Sequence, residues 1–207
     1  MLVDLPGLDA DTVDPSTGLA PLALASRAGQ LGAVQWLLRH RTAVDRAGPA
    51  GETALQLAAE AGHVSVLEAL LAAGADPDLA NLQGRTALHL AAVLGRPDIS
   101  CLLAQAGATT HLADKEGLTP LTSAIIAGQA STVLALINTG ASTNAFDCFG
   151  RSPLDVAIYQ VGIYFIVFDS YNDYLMYRLT SKLVILMTNS ACLLFQPTFS
   201  FHKSAIV

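Results

Sequence analysis

Apolar residues along the first three quarters of the chain fall into short helical stripes that recur. In Ala54-Leu55-Gln56-Leu57-Ala58-Ala59-Glu60-Ala61, the residues Ala54, Leu55, Ala58 and Ala59 follow an i, i+1, i+4, i+5 pattern, which predicts a short helix ending at Gly62. Val64, Leu67, Leu70 and Leu71 then mark one face of a second helix. Gly74 stops it, because glycine takes a left-handed backbone conformation that a β-carbon disfavours. The phrase returns every 33 residues, opened by Gly18, Gly51, Gly84, Gly117 and Gly150. A period of that size denotes stacked supersecondary units, each burying its apolar face against its neighbours.

Local signals agree with the stripes. Thr53, Thr86, Thr119 and Ser152 hold one slot ahead of the first helix, where a hydroxyl can accept from an unpaired amide of the first turn. Pro120 and Pro153 follow two of these caps at the first helical position, and Pro97 opens a second helix in the same way. The pairs Ala58/Ala59 and Ala91/Ala92 keep the first helix narrow, so that Leu or Ile of the second helices fills the space between layers. Between copies, Ala75-Asp76-Pro77-Asp78 through Asn81-Leu82-Gln83-Gly84 is polar and turn-forming, which predicts a protruding loop or hairpin.

These phrases, above all Thr86-Ala87-Leu88-His89-Leu90-Ala91-Ala92 with Gly95, and Thr119-Pro120-Leu121, resemble the ankyrin repeat over residues 14–160. The resemblance implies an all-α right-handed solenoid of stacked helix–turn–helix units with hairpin loops. Its hairpin tips and first helices would line a concave surface that grips protein partners. The resemblance also gives His63 and His89 structural roles, as hydrogen-bonding residues of the turn and helix start. The first copy departs from the pattern: Ala20-Pro21-Leu22 lacks the capping hydroxyl, as suits an end repeat. The fifth stops at Gln160 after one helix. The expected organisation is an acidic leader at 1–13, four full repeats and a truncated fifth over 14–160, and a non-repeat tail at 161–207.

The tail differs in kind. The first 160 residues hold 15 Gly and 32 Ala against 1 and 2 in the remainder, whereas Phe and Tyr rise from 3 to 9, so nothing after Val161 can rebuild the repeat. Its Ile, Tyr, Phe, Asn and Lys are residues that A/T-rich DNA encodes, and Gln160-Val161 is codable as an exon end followed by a GT donor. That is the expectation for a translated intron. Two others stand beside it: a poorly ordered apolar tail, and a membrane anchor across the 19 uncharged residues from Leu183 to Phe201. Asn189, Gln196 and Pro197 within that stretch weigh against a span, since lipid satisfies no polar group.

Charge narrows the partners. Residues 1–160 carry 8 Lys or Arg against 15 Asp or Glu, an acidic array without the basic footprint that binds phosphate backbones or anionic lipid. No direct nucleic-acid contact is expected. Cys101, Cys148 and Cys192 are odd in number and lack paired spacing, and no basic region precedes the apolar residues at the amino terminus. The expected location is cytoplasm or nucleus.

No catalytic constellation accompanies the repeats. Neither a G-x-S-x-G elbow nor a phosphate-binding glycine loop is present, acidic residues are scattered, and Cys148 has no adjacent base. His40 and His111 have no Cys or His at ligand spacing. Neither enzyme activity, nor a cofactor, nor a metal is expected. Candidate chemistry is confined to contact residues. The thirteenth position of each copy reads Arg27, Glu60, Val93, Ile126 and Tyr159, passing from charged to apolar along the stack. Loop tips add Leu82, Lys115 and Phe149, and Glu52, Arg85 and Arg151 directly follow the repeat glycines. The reading is a graded groove with aromatic anchors at its carboxyl end; packing of Val93 and Ile126 between successive first helices is the competing one. The function expected is a non-enzymatic scaffold or adaptor for a protein partner. The alternatives are the adaptor part of a larger kinase, ubiquitin ligase subunit or channel, and a membrane-anchored array.

Overall fold

A computed structural model describes residues 12–40 and 42–161, with short strand segments at 167–168, 174–175, 184–188 and 191–195; side chains are described through residue 157. The chain forms two compact units, Met1–Pro153 and Leu154–Val207.

The first unit holds four helix pairs: α1 (Pro21–Arg27) with α2 (Leu31–Arg39), α3 (Ala54–Ala61) with α4 (Val64–Ala72), α5 (Ala87–Val93) with α6 (Pro97–Gln105), and α7 (Pro120–Ile126) with α8 (Ala130–Asn138). The first helices α1, α3, α5 and α7 pack in chain order as an inner row, and α2, α4, α6 and α8 follow the same order as an outer row. The inner helices α3 and α5 therefore have neighbours on three sides. That explains why Ala54 to Ala59 are all buried, and why Ala58, Ala59, Ala91 and Ala92 are fully so. Leu67, Leu70, Ile99, Leu103 and Leu136 of the outer row and Leu55, Leu88 and Leu121 of the inner row are all fully buried.

The buried face of the second helix α4 differs from its apolar pattern. Val64 is exposed and Leu71 half-buried, while Val66, Leu67 and Leu70 form the buried face of α4. Val64 is the first helical residue after the Gly62–His63 turn, and at that place the side chain looks outward.

Capping largely follows the sequence. The Thr53 hydroxyl accepts from the Gln56 amide at 3.3 Å while Gln56 returns a bond to the Thr53 amide at 3.1 Å, and the Thr119 hydroxyl accepts from the Thr122 amide at 3.3 Å. At Thr86 the returning partner is a histidine: the Thr86 amide donates to His89 Nδ1 at 3.2 Å. The first helix, as its sequence requires, has no capping hydroxyl, Ala20 occupying the slot. Ahead of it, Asp14 accepts from the hydroxyls of Ser16 and Thr17, which hold its carboxyl at about 2.

In the second unit, α9 (Pro153–Val161) begins after Ser152, and β1 (Val167–Phe168) pairs antiparallel with β2 (Tyr174–Leu175), as does β3 (Val184–Thr188) with β4 (Ala191–Phe195). The array is all helical, and the tail adds these short strands. No helix among the described residues is long and apolar enough to cross a membrane, and β3 and β4 lie inside the stretch considered for an anchor. The expectations of a disordered leader and a poorly ordered tail fall mostly on residues outside those described.

Candidate interaction surface

The hairpins between repeats form one strip along the inner row. In the third repeat Asn81 accepts from the amides of Gln83 and Arg85 at 3.0 Å each, while its own amide donates to the Arg85 carbonyl. Asp114 does the same with Glu116 and Leu118, and Asp147 with Phe149 and Arg151. Successive hairpins are tied by backbone bonds, Leu82 N–H to the Ala50 carbonyl at 2.9 Å and Lys115 N–H to the Gln83 carbonyl at 3.0 Å. At the next junction the Cys148 thiol reaches the Glu116 carbonyl at 2.7 Å.

The 33-residue glycines have two reasons to be glycine. Gly51 and Gly84 have φ of 77° and 79°, and a β-carbon on either would stand 2.9 Å from the backbone nitrogen of the next hairpin, at Leu82 and Lys115. Gly117 is tighter still against Cys148. The beat is thus both a turn requirement and a clearance between neighbouring hairpins.

Charged residues that follow the glycines brace the strip from below. Arg85 Nε lies 3.3 Å from Asp114, a carboxylate of the next hairpin, and its terminal nitrogen lies 3.9 Å from Glu116. Arg151 turns back on Asp147 at 2.8 Å and lies over the Phe149 ring, 4.9 Å from its centre. Burial works to raise the Asp147 carboxyl, but the amide and guanidinium of Arg151 and the amide of Phe149 outweigh it and hold the group below the usual carboxylate range. Glu52 is half-buried, with Oε2 enclosed and unbonded.

The other expected contact residues divide by exposure. Leu82 is 59% exposed and Phe149 74%, and Lys115, Arg27 and Glu60 are also exposed. Val93 and Ile126 are half-buried, so each gives part of its surface to packing and part to solvent. The side chain of Tyr159 lies outside those described.

The sequence reading passed over two residues in this region. Phe146 is 68% exposed and Leu94 44%. A signal for both was available: Phe146 falls in a column that reads Ala47, Ala80 and Ala113 in earlier copies, and Leu94 in one that reads Ala28, Ala61 and Ala127. They lie at two margins of the inner row, Phe146 on a hairpin and Leu94 at the carboxyl end of α5. A seven-residue helix separates such margins by about 10 Å.

Side chains at two further columns join one repeat to the next. Gln56 Nε2 donates to the carbonyls of Leu79 at 2.7 Å and Arg85 at 3.1 Å, and His89, in the equivalent slot, places Nε2 3.0 Å from the Leu118 carbonyl. At the turn end, His63 Nε2 lies 3.2 Å from the Arg27 carbonyl and Gln129 Nε2 donates to that of Val93 at 3.3 Å. The histidines are structural, as expected, but they also act between repeats. Among the described residues no group of three or more His, Cys, Asp or Glu side chains is placed to hold a metal ion.

Stacked helix pairs joined by glycine-pivoted hairpins define a repeat solenoid, and the family comparison agrees. A family model described as ankyrin repeats in three copies matches residues 1–81 and 22–114. The chain belongs to the ankyrin repeat family, whose members are in general protein–protein interaction modules and typically non-enzymatic. No curated protein matches the chain.

Proposed function

We propose that this chain is a non-enzymatic scaffold that binds a protein partner across its inner row, with the hairpin tips at one margin and the carboxyl ends of α3, α5 and α7 at the other. The observation that carries this reading is the pair of exposed large residues, Leu94 and Phe146, in columns where three other copies carry alanine. Packing does not require a large side chain at either place, since alanine serves there in three other copies, and large apolar side chains held at the surface suit a face that a partner covers. Aromatic and large aliphatic anchors of this kind contribute most of the energy of protein interfaces. Leu82, Phe149, Val93 and Ile126 extend the apolar surface, and Arg27, Glu60 and Lys115 supply charge for partner choice. Glu52, Arg85 and Arg151 shape the strip from beneath it. The acidic array and unpaired cysteines support a cytoplasmic or nuclear site of action, without direct contact to nucleic acid.

Site-specific photo-crosslinking in cells tests this. A crosslinking residue at Leu94 or Phe146 captures the same discrete partner, whereas one at Glu68, exposed on the outer helix α4, does not. Equal capture from Glu68, or none from Leu94 and Phe146, removes the assignment.

A further inference from the structure

His89 is fully buried, and among the described residues its slot is the one place in α1, α3, α5 and α7 where a titratable side chain links two repeats from inside the core. The corresponding residues in the second and fourth repeats are Gln56, which makes both links without titrating, and Thr122, whose hydroxyl donates to the Thr119 carbonyl of its own helix at 2.8 Å. Neutral imidazole fits the His89 site fully: Nδ1 accepts from the Thr86 amide at 3.2 Å, and Nε2–H donates to the Leu118 carbonyl at 3.0 Å. A second proton disturbs it. The Nδ1 nitrogen then becomes a donor facing a donor, and although the Thr86 hydroxyl, 3.0 Å away, can turn to accept, the buried Thr86 amide is left without a partner.

We propose that the junction between the third and fourth repeats is an acid-sensitive joint: the closed junction excludes protonated His89, so mild acid opens the stack between α5 and α7 while the other junctions stay closed. Burial, the largest influence, pushes the His89 imidazole below its ordinary value; the Leu118 carbonyl, Asp114 and, least, the Leu112 carbonyl pull the other way, and Arg85 adds to the depression. Asp114 and Arg85 are already bound to each other. The remaining packed elements bring no compensating charge to the ring: α7 contains no titratable residue, Glu60 of α3 and Asp98 of α6 are exposed, and α6 adds only the half-buried thiol of Cys101. His63 offers the contrast. It is only partly buried, and its Nε2 meets the Arg27 carbonyl at the edge of the stack rather than inside the core.

The sign follows from which state takes the proton. The opened joint binds a proton near the ordinary histidine value of about 6.5, while the closed joint does not at that pH. Closure is therefore fully favourable above that value. Below it, the opening equilibrium grows by up to about tenfold per pH unit until the folded value is reached.

Hydrogen exchange on the full chain, comparing wild type with His89→Gln at each pH so that intrinsic exchange cancels, tests the joint. Glutamine is the replacement because Gln56 already performs the same two tasks in this chain. Between pH 7.5 and 5.5, peptides spanning α5 and α7 lose about tenfold in protection relative to the variant, and those of α1 and α3 do not. An equal loss in both proteins, or one shared by all junctions, overturns the joint. An NMR titration of the wild-type His89 ring gives a second reading independent of the variant: the ring remains neutral and protonated on Nε2 at pH 6.5, and a half-protonated ring there overturns the proposal. Neither measurement involves a partner, so the outcome is separate from the binding reading above.

Discussion

The second hairpin and the three that follow it hold the same turn by opposite means. The third, fourth and fifth hairpins place Asn81, Asp114 and Asp147 where two backbone amides converge on one side-chain oxygen. The second has Gly48 there, and the carboxylate of Glu52 folds into the space instead: a β-carbon on Gly48 would stand 2.9 Å from it. That substitute accepts no amide, and its Oε2 is buried with no hydrogen-bond partner. At the equivalent of Glu52 the third and fifth hairpins carry Arg85 and Arg151, whose positive charge meets the buried aspartates. The difference shows that the backbone turn forms without its side-chain acceptor, and it predicts that the acceptor adds to the stability of the hairpins that have one.

Removing the acceptor where it is best engaged gives the largest effect. Asp114→Ala leaves the amides of Glu116 and Leu118 without their acceptor and Arg85 without its closest carboxylate, and costs about 3 kcal/mol in a urea titration. A loss below 1 kcal/mol means the turn geometry alone carries the hairpin. Supplying an acceptor where it is missing runs the comparison in reverse. Gly48→Asp alone crowds both Leu19 and Glu52, whereas Gly48→Asp together with Glu52→Arg reproduces the set Leu118, Asp147 and Arg151 that the chain already uses between the fourth and fifth repeats. The double variant is about 1 kcal/mol more stable than wild type and the single one less stable, a coupling that a double-mutant cycle reads directly. Additive effects of the two changes sink the idea that Glu52 stands in for the absent aspartate.

Much of this architecture was legible in the chain itself, because stacked repeats translate local patterns directly into tertiary neighbours. The glycine beat, the Thr53 and Thr119 caps and the alanine pairs each marked an element that formed where they stood. Val64 misled because a helical stripe leaves the phase uncertain until the turn is fixed. The bonds from Gln56, His89 and Arg85 to the next repeat were hidden for another reason: a side chain's partner 23 to 29 residues away is visible only once the layers are stacked. Leu94 and Phe146 were passed over although each breaks an alanine column.

Column comparison also finds places where this chain departs from itself within the core, and there the expected effects are smallest. The Ser26 hydroxyl of α1 and the Thr132 hydroxyl of α8 are buried without a hydrogen-bond partner. Their columns read Ala59, Ala92 and Ile125 in the first case, and Ala33, Val66 and Ile99 in the second, apolar throughout and buried except for the half-buried Ala33. Ser26→Ala and Thr132→Val therefore remove an unsatisfied polar group with little change of volume, and each stabilises the array by about 1 kcal/mol. Urea midpoints at constant m-value check this. Destabilisation by either change shows that the hydroxyl has a partner in solution, since losing a satisfied bond is the one outcome that reverses the sign.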